Sequence, residues 1–380
     1  MNLIKKIIAA ALVLCIALSL VGCGDTTWIA EVDGVTVPSG LYIYYQTEAY
    51  GDALYNLYQT NSDNSNYLMA YIYYYNYGYV DPALFTASMS DGTTVEEYIN
   101  TYALDMCKQY VVVDRLFNEL GLEITADEQA LIDNQVRNTW NSNGDSWEKI
   151  GVSEDSLKIA VVSKIKEERV FDAYYEIGGL NGTTEEEIEA YFSDNYARIK
   201  YMTFTFAESM DDAVDSARKD EQFALANSYL DRANAGEDMN TLIAEHKAEL
   251  AAENEEDADD TDDDEVSVDD VEVDLYANES ILSKEATYPT EKFVNYVFNN
   301  CNIGEYTVIQ DDLCFYLVQR LDILEREGLY DNYRDSILTE LFDKDYTTLM
   351  NQRLAGYTVT ENTKSIKRYT VEKAFPENAD

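Results

Sequence analysis

The stretch Thr184-Glu-Glu-Glu-Ile-Glu-Ala-Tyr-Phe-Ser-Asp-Asn195, followed by Tyr196-Ala-Arg-Ile-Lys-Tyr-Met-Thr-Phe-Thr-Phe206, decides the fold because two periodicities meet in it. Thr184 and Glu187 have the spacing of a capping box, in which a hydroxyl and a carboxylate satisfy orphan amides at a helix N-terminus. The helix opened there ends near Asn195, and Ile199 to Phe206 then reads as a strand. Working backward, the signals are helical. Ser153 caps a helix with Leu157, Val161, Ile165 and Tyr174 on its apolar stripe. Thr125-x-x-Glu128 opens one that runs to about Asn141, and Thr94-x-x-Glu97 opens one that stops at Gly121. Four capped amphipathic helices in a row predict a helical module.

Ahead of them, Trp28 to Val37 alternates around Asp33-Gly34, a tight-turn signal. A helix-like stretch begins at Ser39. Residues 42–79 hold 13 tyrosines, among them Tyr73, Tyr74 and Tyr75, and match no period cleanly. Working forward from Phe206, helices are expected from about Asp211 to Ala235 and from Met239 to Leu250. Residues 253–274 then carry 14 acidic and no basic side chains. A short helix near Glu291–Asn299, two strand-like runs at Tyr306–Gln310 and Leu313–Asp322, and a long helix at about Leu329–Leu354 follow. Tyr357–Thr360 and Ile366–Thr370 close the chain as strand-like segments. The expected fold class is α+β, mostly helical. A helical domain, 28–195 plus 324–380, carries an inserted small α+β domain, 196–323, that contains the acidic loop 253–274.

Composition limits the function. The 380 residues hold 73 Asp and Glu against 27 Lys and Arg, a formal charge of −46, yet 46% are hydrophobic. Such a chain folds and repels phosphate backbones, so no nucleic acid is expected as a partner. A single histidine, His246, removes the common histidine metal sites and Ser-His-Asp chemistry. His246 itself reads as a solvated surface residue. Asp260, Asp262 and Asp264 occupy positions 1, 3 and 5 of a calcium loop. Glu265 and Val271 stand where an EF-hand needs glycine and glutamate, so no metal and no cofactor is expected.

The N-terminus predicts location. Lys5 and Lys6 precede a 14-residue apolar run, Ile7 to Leu20, too short for an ordinary membrane span. It ends in Leu20-Val21-Gly22-Cys23, which resembles the bacterial lipobox. That resemblance implies a signal peptide over 1–22, lipidation of Cys23 with acyl chains such as palmitate, and a tether over 23–27. The expected location is the extracytoplasmic face of the cell membrane. Cys107, Cys301 and Cys314 remain, an odd number, so a Cys301–Cys314 bridge and buried free thiols both stay open.

The order of elements resembles the bacterial extracytoplasmic foldases, which join a helical chaperone domain to a parvulin-type peptidyl-prolyl isomerase domain. Trp28-Ile-Ala-Glu-Val-Asp-Gly-Val-Thr-Val37 is similar to their opening strand. Leu120 to Glu128 and Gly182 to Phe192 resemble two linkers of the chaperone domain. Arg198 to Phe204 lies where parvulins begin their first strand. Ala235-Gly-Glu-Asp-Met239 resembles a parvulin helix start, and Ile303-Gly-Glu305 the approach to the last strands.

The resemblance implies unfolded or newly exported proteins as partners, a membrane contact through the lipid anchor, and a homodimer left open. The two family histidines are replaced, by position, with Tyr201 and Tyr316. Isomerases bind a twisted amide more tightly than a planar one, and two phenols offer aromatic walls and hydrogen bonds for that task. Filling a vestigial core is the other reading of the pair, so weak or lost isomerase activity is expected. Tyr73, Tyr74 and Tyr75 are candidate client-binding residues, or an insertion packing on itself. Rival readings are a substrate-binding lipoprotein of a transporter and a surface adhesin or structural lipoprotein.

Overall fold

The structure, a computed structural model, describes residues 27–61, 64–207, 214–255 and 276–375. Cys23, the Asp260–Asp264 loop and the rest of the acidic run from 256 onward lie outside the described residues. The chain divides into two compact units, Met1–Gly182 with Phe342–Asp380, and Thr183–Leu341. The fold is α+β and mostly helical.

The first unit opens with a hairpin, β1 (Trp28–Val32) and β2 (Val35–Pro38). Asp33 and Gly34 both have positive φ, 47° and 83°, the backbone a two-residue hairpin turn needs to match strand twist. Helix α1 (Ser39–Thr60) leads to α2 (Ser65–Tyr77), and α3 (Val95–Glu119), α4 (Ala126–Ile150) and α5 (Glu154–Tyr175) follow. Thr94, Thr125 and Ser153 cap the last three, the first two as complete capping boxes. Helix α4 continues past Asn141, where its polar run Asn141-Ser-Asn-Gly suggested an end. Its last turns carry Trp147, whose ring packs edge-on against Tyr44 at 5.6 Å, and tertiary packing overrides weak local propensity there.

The end of the chain returns to this unit. Within α10 (Leu329–Ala355), Phe342 stacks on Tyr175 of α5 at 4.8 Å. Strand β7 (Val359–Glu361) pairs antiparallel with β1, giving the sheet order β2-β1-β7. The expected strand at Ile366–Thr370 is instead helix α11 (Thr363–Arg368), with α12 (Val371–Ala374) behind it. Asn362 caps α11, its side chain accepting from the Ser365 amide at 3.3 Å, and this local start signal outweighs a short alternating pattern.

Gln46, fully buried on α1, ties the pieces together. Its side-chain nitrogen donates to Asn100 Oδ1 at 2.9 Å and to the carbonyl of Tyr369 at 3.1 Å.

In the second unit, α6 (Glu185–Asn195) runs directly into β3 (Tyr196–Thr205). Fully buried Phe192 of α6 packs on Tyr196, Tyr330 and Tyr333. Strand β3 is central in an antiparallel sheet whose other members are β4 (Glu279–Ser283), β5 (Tyr306–Gln310) and β6 (Cys314–Leu321), in the order β4-β3-β6-β5. One sheet face, with Met202, Phe204 and Leu317, packs on α7 (Ser216–Asn234) and α8 (Met239–Glu255). The other, with Ile199, Ile309 and Val318, packs on α9 (Glu291–Asn300). Strand β4, absent from the sequence reading, is held by a buried ion pair. Glu279, its side chain 1% exposed, accepts from Arg198 Nε at 2.8 Å and from Arg326 Nη1 at 3.4 Å.

Gln46→Leu should destabilise the first unit by about 1–3 kcal/mol, because the buried Tyr369 carbonyl loses its only side-chain donor among the described residues. Urea unfolding followed by circular dichroism measures this, and a midpoint equal to that of the unsubstituted chain would contradict it.

Candidate functional site

Strand alternation brings Tyr201 of β3 and Tyr316 of β6 to the sheet face covered by α9. In the β3–β6 register Tyr201 faces Val318 and Thr203 faces Tyr316, so the two tyrosines are diagonal neighbours. Their ring centroids are 6.0 Å apart, and Phe293 of α9 lies 5.4 Å from the first and 4.7 Å from the second. Tyr316 is 6% exposed and Phe293 fully buried, whereas Tyr201 is half-buried and opens toward the exposed Tyr288. Burial pushes both phenols above their ordinary range, helped at Tyr316 by the adjacent Cys314 thiol. At neutral pH the site therefore offers two neutral hydroxyls among aromatic walls.

The position of α9 follows from a residue that sequence reasoning passed over. Asp311, 4% exposed, accepts from the Asp312 amide at 2.8 Å and from the Thr290 hydroxyl. Thr290 in turn caps α9 by accepting from the Phe293 amide at 3.1 Å. One carboxylate thus joins the β5–β6 turn to the helix that carries Phe293. In the sequence, Asp311-Asp312 between two strands signals only a turn. Cys301 and Cys314 are free buried thiols, as is Cys107. Burial pushes Cys301 up to about 11, so its thiol stays protonated at neutral pH.

The tyrosine triplet splits three ways on α2, because consecutive helical residues point about 100° apart. Tyr74 turns inward, packs edge-on against Tyr50 at 5.0 Å and donates to the Thr47 carbonyl at 3.1 Å. Burial and nearby Glu48 push its phenol to about 12. Tyr73 and Tyr75 turn outward, 43% and 61% exposed, beside the exposed Tyr77 and Tyr79. The three therefore do not form one surface. A second set that sequence reasoning missed includes Tyr98 and Tyr102 of α3, stacked at 6.2 Å, with Glu48 and Asp52 of α1 among the charges that act on Tyr102. Desolvation by the surrounding side chains raises both carboxyls.

His246 is 5% exposed and not a solvated surface residue. Its Nε2 donates to the Thr203 carbonyl at 3.0 Å, and its ring lies 4.5 Å from that of Phe204. The flanking Glu245 and Lys247 point to solvent, and their polarity hid the inward turn of His246. Among the described residues no group of three or more His, Cys, Asp or Glu could hold a metal ion, and no helix is long and apolar enough to cross a membrane.

No family model and no curated protein sequence matches the chain. Among solved structures it is similar to foldase protein PrsA from Streptococcus pneumoniae, at 12% identity over 71% of this chain and 88% of that one, with a TM-score of 0.31. It is also similar to PrsA from Bacillus subtilis, at 13% identity over 77% and 92%, with a TM-score of 0.21. The peptidylprolyl isomerase PrsA from Bacillus cereus gives 14% identity over 74% and 97%, with a TM-score of 0.29.

A raised phenol pKa means that the fold favours the neutral form. Tyr201 and Tyr316 therefore contribute stability that is intact below about pH 10, where an unfolded tyrosine ionises, and is lost as pH rises through the folded values. In ring-labelled protein followed by carbon NMR, both signals should stay in the phenol form through about pH 10. Ionisation of either at or below that pH would contradict the burial described.

Proposed function

We propose that the chain is a membrane-anchored extracytoplasmic foldase or holdase, lipidated at Cys23. Its helical unit receives unfolded exported polypeptides, and its α+β unit is parvulin-like with weak or lost prolyl isomerase activity. The observation that carries the reading is the adjacency of Tyr201 and Tyr316. Two positions far apart in the chain, each matched by resemblance to a family histidine, have rings 6.0 Å apart on one sheet face.

The same geometry supports weak activity. An isomerase gains rate by stabilising an amide twisted out of a plane whose rotation barrier is ~18–20 kcal/mol. The twisted amide must reach the groups that bind it. Tyr316 is sealed by Phe293 and by its own strand, which leaves Tyr201 as the accessible phenol of the pair. One half-exposed hydroxyl beside Tyr288 can hold a proline ring against an aromatic wall and donate one hydrogen bond. It supplies no second group on the opposite side of the amide.

The helical unit needs adaptable amphipathic surface for holding unfolded chains, and its exposed Tyr73, Tyr75, Tyr77 and Tyr79 supply it. The charge of −46 biases clients toward neutral or basic segments. Two assays on the purified chain test the reading. Aggregation of an unfolded client should be suppressed near stoichiometric amounts, while refolding limited by a slow proline step should be accelerated little or not at all. Acceleration equal to that of an intact parvulin would overturn the weak-isomerase part. Absence of both effects would overturn the whole.

A further inference from the structure

Three carboxyls of the first unit stand apart from the other acidic side chains. Among the described residues only Glu48 and Asp52 of α1 and Glu167 of α5 are held above the ordinary carboxyl range, each first by desolvation. They are neighbours. Burial first, and then Asp52, the phenol of Tyr98, Glu48 and Glu167, push the phenol of Tyr102 up to about 12. Glu48 and Asp52 stand one turn apart on one face of α1, as do Tyr98 and Tyr102 on α3, whose rings stack at 6.2 Å. Tyr75 of α2 comes to the same strip. Gly51 has no side chain, and the Tyr75 hydroxyl lies 2.9 Å from where its Cβ would stand, beside Asp52 in the chain.

The chain supplies these carboxylates with no close counter-ion. Helices α1 and α2 contain no lysine or arginine. The basic side chains of α3 and α5 are engaged elsewhere, Lys166 with Asp114 and Lys158 with Asp133 among them, and only Lys164 is left. Its charge acts on Glu48 and Glu167, but it is exposed and forms no ion pair with either. A like-charge pair at i and i+4 destabilises a helix, and a desolvated charge without a partner costs more. Helix α10 adds an independent sign. Tyr346 is 8% exposed, and its hydroxyl is turned toward Glu167 while no partner among the described residues lies within hydrogen-bond reach of it. Gln109 Nε2 donates to Glu167 Oε1 at 2.8 Å and fixes that carboxylate in place. A donor arriving from outside would serve both Glu167 and the Tyr346 hydroxyl.

We propose that this strip binds lysine and arginine side chains of an extended polypeptide, the cationic group taken by Glu48, Asp52 and Glu167 and its stem lying against Tyr98 and Tyr102. The proposal deepens the foldase reading and rests on it for the polypeptide that carries the cations. The chemistry selects an organic cation. No group of three or more His, Cys, Asp or Glu among the described residues could hold a metal ion, whereas tyrosine faces attract ammonium and guanidinium groups. Tyr75 joins the strip to the exposed tyrosines of α2, so a chain held on that surface has its basic side chains within reach of the carboxylates.

The probe is the peptide acetyl-Gly-Lys-Ser-Gly-Lys-Ser-Gly-amide, added to the full chain with ring-labelled tyrosine. Salt is held at about 0.15 M, where exposed charges more than about 8 Å apart are largely screened. The ring signals of Tyr98 and Tyr102 should shift, and those of Tyr229 and Tyr316 in the second unit should not. A copy of the peptide with both lysines acetylated should not bind. Glu48→Gln with Asp52→Asn should weaken binding roughly tenfold, and so should Glu167→Gln, the loss expected for a hydrogen bond to a charged group. Glu221→Gln with Asp231→Asn, which removes two exposed carboxylates of α7, should leave binding unchanged. A raised carboxyl means that the fold favours its neutral form, so the Glu48–Asp52 double variant should melt no lower than the unsubstituted chain at neutral pH. The acetylated copy keeps the test independent of any variant's fold.

Equal binding of the acetylated peptide overturns the proposal. So does equal weakening by the two double variants, which gives the attraction to the charge of the whole chain. Spermidine that shifts the same rings and binds at least as tightly as the peptide gives the strip to free amines and overturns it too. Aggregation suppression is read in parallel. Suppression without any effect at Tyr98 and Tyr102 sinks this proposal alone, and peptide binding at the strip without suppression sinks the foldase reading alone.

Discussion

The side chain of Gln46 is fully buried, and its nitrogen donates to two groups that lie far from it in the chain, Asn100 and the carbonyl of Tyr369. Everything in the first unit depends on this meeting of chain ends. The unit is assembled from residues on both sides of Thr183–Leu341, so its core closes only when the C-terminal segment has returned. The closure is polar as well as apolar. Tyr42 donates to the same Asn100 oxygen at 2.8 Å, Thr27 and Tyr369 share a hydrogen bond at 2.9 Å, and Asn362 donates to the Trp28 carbonyl at 3.0 Å. An unpaired polar group in such a place costs more than a good pair contributes. The arrangement therefore selects one docking of the C-terminal segment and penalises slipped ones.

The abundance of tyrosine follows from the same constraint. Tyr42 and Tyr50 are fully buried and Tyr229 nearly so. Each pairs its hydroxyl: Tyr42 with Asn100, Tyr50 with the Asp81 amide at 3.1 Å, and Tyr229 with Glu249 at 2.8 Å. Tyrosine here acts as a core residue that carries its own polar fastening. Burial is the first cause of every raised phenol among them, and for Tyr50 it reaches about 12. The fold consequently keeps neutral phenols inside and weakens in strong alkali, where an unfolded chain would ionise them first. Among the described residues, Tyr73, Tyr75 and Tyr77 on the outer side of α2 stand in water as a group.

Local signals in the sequence were legible because their physics is local. A capping threonine and the glutamate three residues on satisfy each other within one turn, so Thr94 and Thr125 could be read without knowing what their helices pack against. The Asp33-Gly34 turn was legible for the same reason. Features that rest on partners distant in sequence were not. Strand β4 is five residues long and owes its place to Arg198 and Arg326 closing on Glu279. His246 lies between two charged neighbours, and the carbonyl of Thr203 with the rings of Phe204 and Tyr229 turns it inward. Asp311 reads as a turn residue, yet its carboxylate holds the helix that covers the tyrosine pair. In the candidate site the sequence supplied Tyr201 and Tyr316 through resemblance, while Phe293, Cys314, Tyr288 and Asp311 needed coordinates.

Strand β3 supports two packed faces at once through its alternation. Even-numbered residues Met202 and Phe204 point into the α7–α8 core. Odd-numbered Ile199 and Tyr201 point to the α9 face, where Tyr201 meets Tyr316 and Phe293. Phe293 and its own strand bury Tyr316, so of the two phenols only Tyr201 keeps partial exposure, and the chemistry open to the pair is set by which ring the covering helix α9 leaves uncovered.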